Sequence, residues 1–252
     1  EAYHTPLGTI PVDTEAVAFL RAWPKIQHLE LAHTSGEHSL EVMLPFLQVA
    51  LGEFRLVPLL MGSAVRSDAE ALADALAALA KRGDYLFVFS TDLSHYHPYD
   101  QALQRDETTV GAISFETPQA VHRLFALGHL EACGRQPIVA SLFLAQRLGY
   151  PERRLLLYKN SGDTAGDKTR VVGYAAIGMY EQPLVSSADH ISPAAGNALA
   201  AAARRTLEAH FRPERTTAPL SLDAYPELVR ASGLFVTLRK HGQLRGCIGR
   251  ID

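Results

Sequence analysis

The chain has 252 residues, a formal net charge of −3, 20% charged and 47% apolar side chains, the balance of an ordinary globular protein with one sizeable core and part of a second. That mild acidity leaves no electrostatic footprint for nucleic acid or an anionic membrane, so neither is expected as a partner. Two cysteines, Cys133 and Cys247, are too few and too far apart for a disulfide framework, and no apolar run reaches the ~20 residues of a membrane span; a reducing cytoplasm is the expected setting.

The sequence begins at Glu1 and stops at Asp252 inside a glycine-rich strand–turn segment, which reads as a fragment cut at both ends. Residues 1–14 predict a turn, a short strand and the cap of a helix over 15–23. Residues 37–52 carry Leu40, Met43, Leu44 and Leu47 at helical spacing, with His38 and Glu41 sharing another face. Pro45 cannot donate to the carbonyl of Glu41, so a kink is expected there. The His38–Glu41 pair has two readings: a polar site or metal contact, and a solvated charge pair.

Residues 54–61 (FRLVPLLM) predict a buried strand. Ser67 to Glu70 has the capping-box pattern of a helix with Leu72, Leu76 and Leu79 along its apolar stripe. Next come residues 84–98, DYLFVFSTDLSHYHP, around which the chain is organised. The apolar run 85–89 reads as a central parallel strand, and the polar cluster after it lies where open parallel sheets collect ligands. Asp92 and His95 can meet across one tight turn, giving an imidazole fixed by a carboxylate and suited to acid–base work. The alternative is that Asp92 caps a helical turn and His95 satisfies loop backbone.

Pro98 predicts a helix to about residue 113, and Thr117–Pro118 a second that closes at Gly128. Cys133, beside Arg135 and ahead of an apolar helix over 138–148, is either a thiolate stabilised by that arginine or an inert packed thiol. Residues 154–158 and 170–180 predict the last strands of this unit. Between them Asp163 is the most plausible metal or substrate contact in a glycine-containing loop, which also fits a plain hairpin connection. Residues 181–191 read as a linker, Ser192–Pro193 as the cap of an alanine-rich helix to about residue 210, and 233–239 as a strand. The glycines flanking Cys247 permit a tight turn beside Arg245, with a reactive or a packed thiol equally open.

EHSLEVMLPF (37–46), STDLSHY (90–96), CGRQPI (133–138) and VVGYAAI (171–177) resemble, in order, the motifs of the Memo family, which includes the proteins called AmmeMemoRadiSam system protein B. GLFVTLRKHGQLRGCIG (233–249) is similar to the AMMECR family, or system protein A. The resemblance implies an α/β fold with a mostly parallel sheet flanked by helices over residues 1–180, similar to class III extradiol dioxygenases. A linker over 181–191 and a partial α+β AMMECR-type domain over 192–252 would follow. By the same resemblance His95 and Asp92 are the catalytic pair. His38, Glu41, Asp163, Cys133 and Arg135 are substrate-binding candidates, and Arg245, Gly246 and Cys247 form the AMMECR-type motif.

The family's two histidine metal ligands would precede Glu1, and Thr164, beside Asp163, stands where animal members carry a cysteine. A complete redox-metal site is therefore not expected from these residues alone. Iron is the implied cofactor, with copper or zinc as alternatives, and a radical S-adenosylmethionine protein of the same system is the implied partner. The expected function is a metal-associated oxidoreductase-like protein acting on an unidentified small molecule. The alternative is a non-catalytic binding or scaffold protein acting with that partner. A metal-dependent hydrolase is disfavoured by the absence of HExxH, and a hydrolase triad by the absence of a nucleophile elbow.

Overall fold

The structure is a computed structural model that describes residues 2–29, 37–181, 191–212, 219–225, 228, 233–240 and 243–251, with side chains omitted for 222 and from 233 onward. Strands β1 (Ala2–Thr5) and β2 (Gly8–Pro11) form a hairpin, followed by helix α1 (Thr14–Arg21), whose cap Asp13 accepts the Ala16 amide at 2.9 Å. Helix α2 (Leu44–Leu51) is shorter than the sequence predicts, and Pro45 lies in its first turn rather than kinking it. A proline is tolerated there because the missing N–H would have no intrahelical partner. His38 and Glu41 consequently sit ahead of the helix, Glu41 in a turn.

Helix α3 (Arg66–Ala80) starts from Val65 without a side-chain cap, so the expected capping box at Ser67 is not formed; Asp68 is taken instead by Lys25 and the Ser63 hydroxyl. Strand β3 (His95–His97) leads into α4 (Tyr99–Phe115), then α5 (Pro118–Ala126), capped by Thr117 as expected, and α6 (Arg135–Leu148), closed by left-handed Gly149. Strand β4 (Glu152–Asn160), the short helix α7 (Ser161–Ala165) and β5 (Val171–Tyr180) follow. Helix α8 (Pro193–Phe211) carries the predicted Ser192 cap, and β6 (Gly233–Lys240) pairs antiparallel with β7 (Gln243–Ile251). Most of the expected linker lies outside the described residues.

The chain is α/β, but its sheets differ from expectation. β3, β5 and β4 form an antiparallel sheet in that spatial order, and the only parallel pairing among the described residues is the isolated bridge Val12–Leu56. The expected strands at 54–61 and 85–89 are extended segments that join no sheet. They do alternate: Val57, Leu59, Met61, Tyr85, Phe87 and Phe89 pack onto the core, while Leu60, Leu86 and Val88 are exposed. A strand needs partners for its backbone groups, and apolar composition alone does not supply them.

The core lies between α3 and α6 and extends to α1 and α5, through Ala69, Ala73, Leu76, Leu79, Val139 and Phe143. Alanines along α3 let the two helices approach, and truncating Leu79, only 1% exposed, would cost about 2–5 kcal/mol. No helix among the described residues is long and apolar enough to cross a membrane.

Candidate metal-binding site

The polar segment after residue 89 is gripped from several sides. The Leu93 amide donates to the Gly173 carbonyl at 2.9 Å and the Gly173 amide to the Ser94 carbonyl at 3.0 Å, joining the segment to β5. The Ser94 amide donates at 2.8 Å to Asp106 on α4, a fully buried carboxylate that also accepts the Tyr158 hydroxyl at 2.8 Å. Burial raises the Asp106 pKa despite these two donors, and burial together with the adjacent carboxylate raises that of Tyr158. A side chain at position 173 would place its Cβ 1.8 Å from Asp106 Oδ2, so only glycine leaves room for this anchor.

Past Ser94 the backbone breaks step. His95 pairs with Val172 but His97 with Val171, leaving Tyr96 as a bulge residue in the left-handed region, at φ 61°. For a residue with a Cβ this conformation costs on the order of 1–2 kcal/mol. Tyr96 is 62% exposed, with the Arg170 guanidinium 5.0 Å from its ring centre.

The turn brings His95 Nε2 to 3.4 Å from Asp92 Oδ2, as the sequence spacing predicts. That is ion-pair distance without hydrogen-bond alignment, and Nε2 is buried with no hydrogen-bond partner. Cys133 completes the group. Its Sγ accepts the Asp92 amide at 3.2 Å and lies 3.7 Å from Thr91 Oγ1, while its own amide donates to the Asp92 carbonyl at 3.2 Å. Thr91 Oγ1 also accepts the Gly134 amide at 2.8 Å, an approach that a Cβ at Gly134, 2.6 Å from the Thr91 Cβ, would block. One carboxylate oxygen, one imidazole nitrogen and the thiol sulfur of Asp92, His95 and Cys133 lie within 4.8 Å of one another.

Cys133 is exposed and immediately precedes Gly134, the N-cap of α6. The expected stabiliser Arg135 opens α6; the hydrogen bond to sulfur comes from the Asp92 amide instead. Asp163 does not join this group. Its Oδ2 accepts the Asn160 amide at 2.9 Å in the capping box of α7, and its Oδ1 accepts the Tyr99 hydroxyl at 2.7 Å. The Asn160 amide and the Tyr99 hydroxyl hold the Asp163 pKa below its ordinary value. Thr164 donates to the Ser161 carbonyl within the same turn. His38 and Glu41 contact each other at 2.6 Å with side chains 69% and 64% exposed, the solvated-pair reading. Cys247 and Gly246 pair in β7 with Thr237 and Leu238 rather than forming a tight turn, and the register shifts at Arg245 beside them; the side chains of Arg245 and Cys247 lie outside the described residues.

Sequence reasoning missed Asp106, Glu131 and Tyr158, and gave Thr91 and His97 no role beyond membership of the polar cluster. Asp106 had a signal, since Ala102, Asp106 and Val110 repeat every fourth residue along the buried face of α4. Glu131 had none: it accepts the His95 amide at 3.2 Å, pairs with His97 Nε2 at 3.0 Å and lies 3.3 Å from Arg105. Burial pushes the Glu131 pKa up, but the hydrogen bonds from His95 and His97 and the nearby charges leave it below its ordinary value.

The family model described as Memo-like protein matches residues 1–178, and the AMMECR1 model matches residues 200–252. A MEMO1 family protein of Ignicoccus hospitalis is 34% identical over 180 residues, covering 69% of this chain and 62% of its own length. One from Sulfolobus acidocaldarius is 35% identical over 178 residues, 69% of this chain and 62% of its own. A third, from Methanosarcina acetivorans, is 39% identical over 184 residues, 70% of this chain and 67% of its own. The chain thus spans a little over three fifths of the first two relatives. With the family match covering well over half its residues and the STDLSHY and CGRQPI segments supplying the clustered side chains, the chain belongs to the Memo family.

Proposed function

We propose that this chain is a metal-associated, oxidoreductase-like protein acting on a small molecule, with Asp92, His95 and Cys133 as the residues that hold the metal. The observation carrying this reading is the convergence of three different donor atoms within 4.8 Å, with the buried His95 Nε2 lacking any hydrogen-bond partner. An imidazole nitrogen and a thiolate suit iron, copper or zinc, and the carboxylate adds a hard donor. A bound metal of this class supplies Lewis acidity at an open coordination position and, for iron or copper, electron transfer.

The chain's own groups prepare that position. The Asp92 amide holds the sulfur, and Thr91, tied to Gly134, fixes the loop from which Cys133 projects. His95 as a ligand through Nε2 replaces the acid–base role that the Asp92–His95 spacing alone implies. A radical S-adenosylmethionine protein is the proposed partner.

The test is an anaerobic ferrous-iron titration followed by oxygen, on this chain and on its His95→Ala and Cys133→Ser variants. Stoichiometric binding, lost in both variants, with oxygen reactivity in the parent only, is expected. Absence of specific binding by iron, copper and zinc alike overturns the reading. It would leave a non-catalytic binding module, which the exposed apolar Leu60, Leu86 and Val88 favour.

A further inference from the structure

We infer that Glu131 is a positioning residue for His95: its carboxylate bridges the His95 amide and the His97 imidazole across left-handed Tyr96, and so holds His95 Nε2 toward Asp92 and Cys133. The segment has two kinds of restraint. The backbone is tied to β5 and to buried Asp106 up to Ser94, stays paired with β5 across the bulge through His95–Val172 and His97–Val171, and is tied again at Tyr99, whose amide donates to the Lys168 carbonyl at 3.0 Å. Between those anchors the His95 amide points to Glu131, two residues before Cys133. A carboxylate with two oxygens can take an amide and an imidazole at once, which a ladder carbonyl at this bulge does not do.

Glu131 is itself fixed to α4. Its amide donates to the buried Thr109 hydroxyl at 3.2 Å, and its side chain reaches Arg105. One short loop, residues 130–134, therefore carries both the carboxylate that sets His95 and the sulfur that faces it. The cluster is assembled by two strands of contact between the same pair of segments: Glu131 with His95 and His97, and Cys133 with Asp92. A displacement of that loop would move the sulfur and release the imidazole together.

The inference rests on the metal reading above only for its cobalt measurement. The experiment compares the full chain with Glu131→Ala, Glu131→Gln and the double variant Tyr96→Gly/Glu131→Ala. Cobalt(II) titration follows the thiolate charge-transfer absorption, and NMR amide exchange of the metal-free protein follows His95, with Ser94 as the internal reference. Glu131→Ala is expected to weaken cobalt binding about 10–100-fold, as loss of an orienting partner does, and to speed exchange at His95 but not at Ser94.

Glu131→Gln, which keeps an acceptor for the amide, retains the His95 protection, and supplies the comparison if the alanine variant does not fold. Tyr96→Gly removes the Cβ penalty of the left-handed turn and restores part of the lost affinity, while the contrast between His95 and Ser94 exchange separates positioning from general stabilisation. Unchanged His95 exchange in Glu131→Ala overturns the inference, as does cobalt affinity equal to that of a cobalt-binding parent. If the parent binds no cobalt while Glu131→Ala still frees the His95 amide, the clamp stands and the metal reading falls.

Discussion

Two neighbouring stretches of one chain make opposite use of their residues. Residues 85–90 have the apolar, aromatic and β-branched composition of a strand, yet among the described residues their amides find no backbone partner. Residues 92–97 are polar and bulged, yet Leu93, Ser94 and His95 each donate to a named acceptor, and β3 joins a sheet. The difference teaches that composition sets which face is buried, whereas pairing is set by what lies alongside. The best-held backbone here belongs to the stretch with the poorest strand composition.

The largest effect should come from measuring that contrast directly. Amides of residues 85–90 are expected to exchange several orders of magnitude faster than those of Leu93 and Ser94. Equal protection in the two stretches would break the comparison. Next, Gly173→Ala forces a Cβ into Asp106 and should cost about 3 kcal/mol or more in urea unfolding, with loss of the Ser94 protection. A near-neutral result would mean that Asp106 is not packed against β5.

Tyr158→Phe removes one of two donors to the same buried carboxylate, and a loss of about 1–3 kcal/mol is expected. The pH dependence sharpens this anchor. Because burial raises Asp106 above its ordinary 3.8, its contribution to stability is fully present below that value and is lost as pH rises through the raised native one. Asp106→Asn does not titrate, so the parent's advantage over it should shrink as pH rises from the ordinary aspartate value of 3.8 toward neutrality. An advantage that grows over that interval would sink the assignment. Smallest of all, His38→Ala should change stability by no more than about 0.5 kcal/mol and leave metal binding intact, since its partner Glu41 is equally solvated.

Much of the helical framework was legible because its signals are local. The Thr117 and Ser192 caps, the stop at Gly128 and the Asp92–His95 turn each need only a few consecutive residues. The parallel sheet expected from the apolar runs at 54–61 and 85–89 is not found among the described residues, because those runs say nothing of what stands beside them. Pro45 was read as a kink because helical periodicity begins before it, although turns occupy that stretch.

The site was readable in half. Asp92 and His95 are close in sequence, while Cys133 and Glu131 arrive from about forty residues away through the loop ahead of α6. Asp163 stays outside the group for the opposite reason, since its short-range capping box satisfies it locally. Long-range polar contacts carry no periodicity, and only the buried stripe of α4 left a trace of one, at Asp106.

The run YLFVF at residues 85–89 also bears on how the protein behaves in concentrated solution. It is uncharged and free of proline, has three aromatic residues and one β-branched residue, and turns Leu86 and Val88 outward at 68% and 45% exposure. Such a stretch with open backbone groups is a template for edge-to-edge growth between molecules. Colloidal stability should therefore be governed by this five-residue window rather than by the helical core, and a single lysine in place of Val88 would act as a gatekeeper against it.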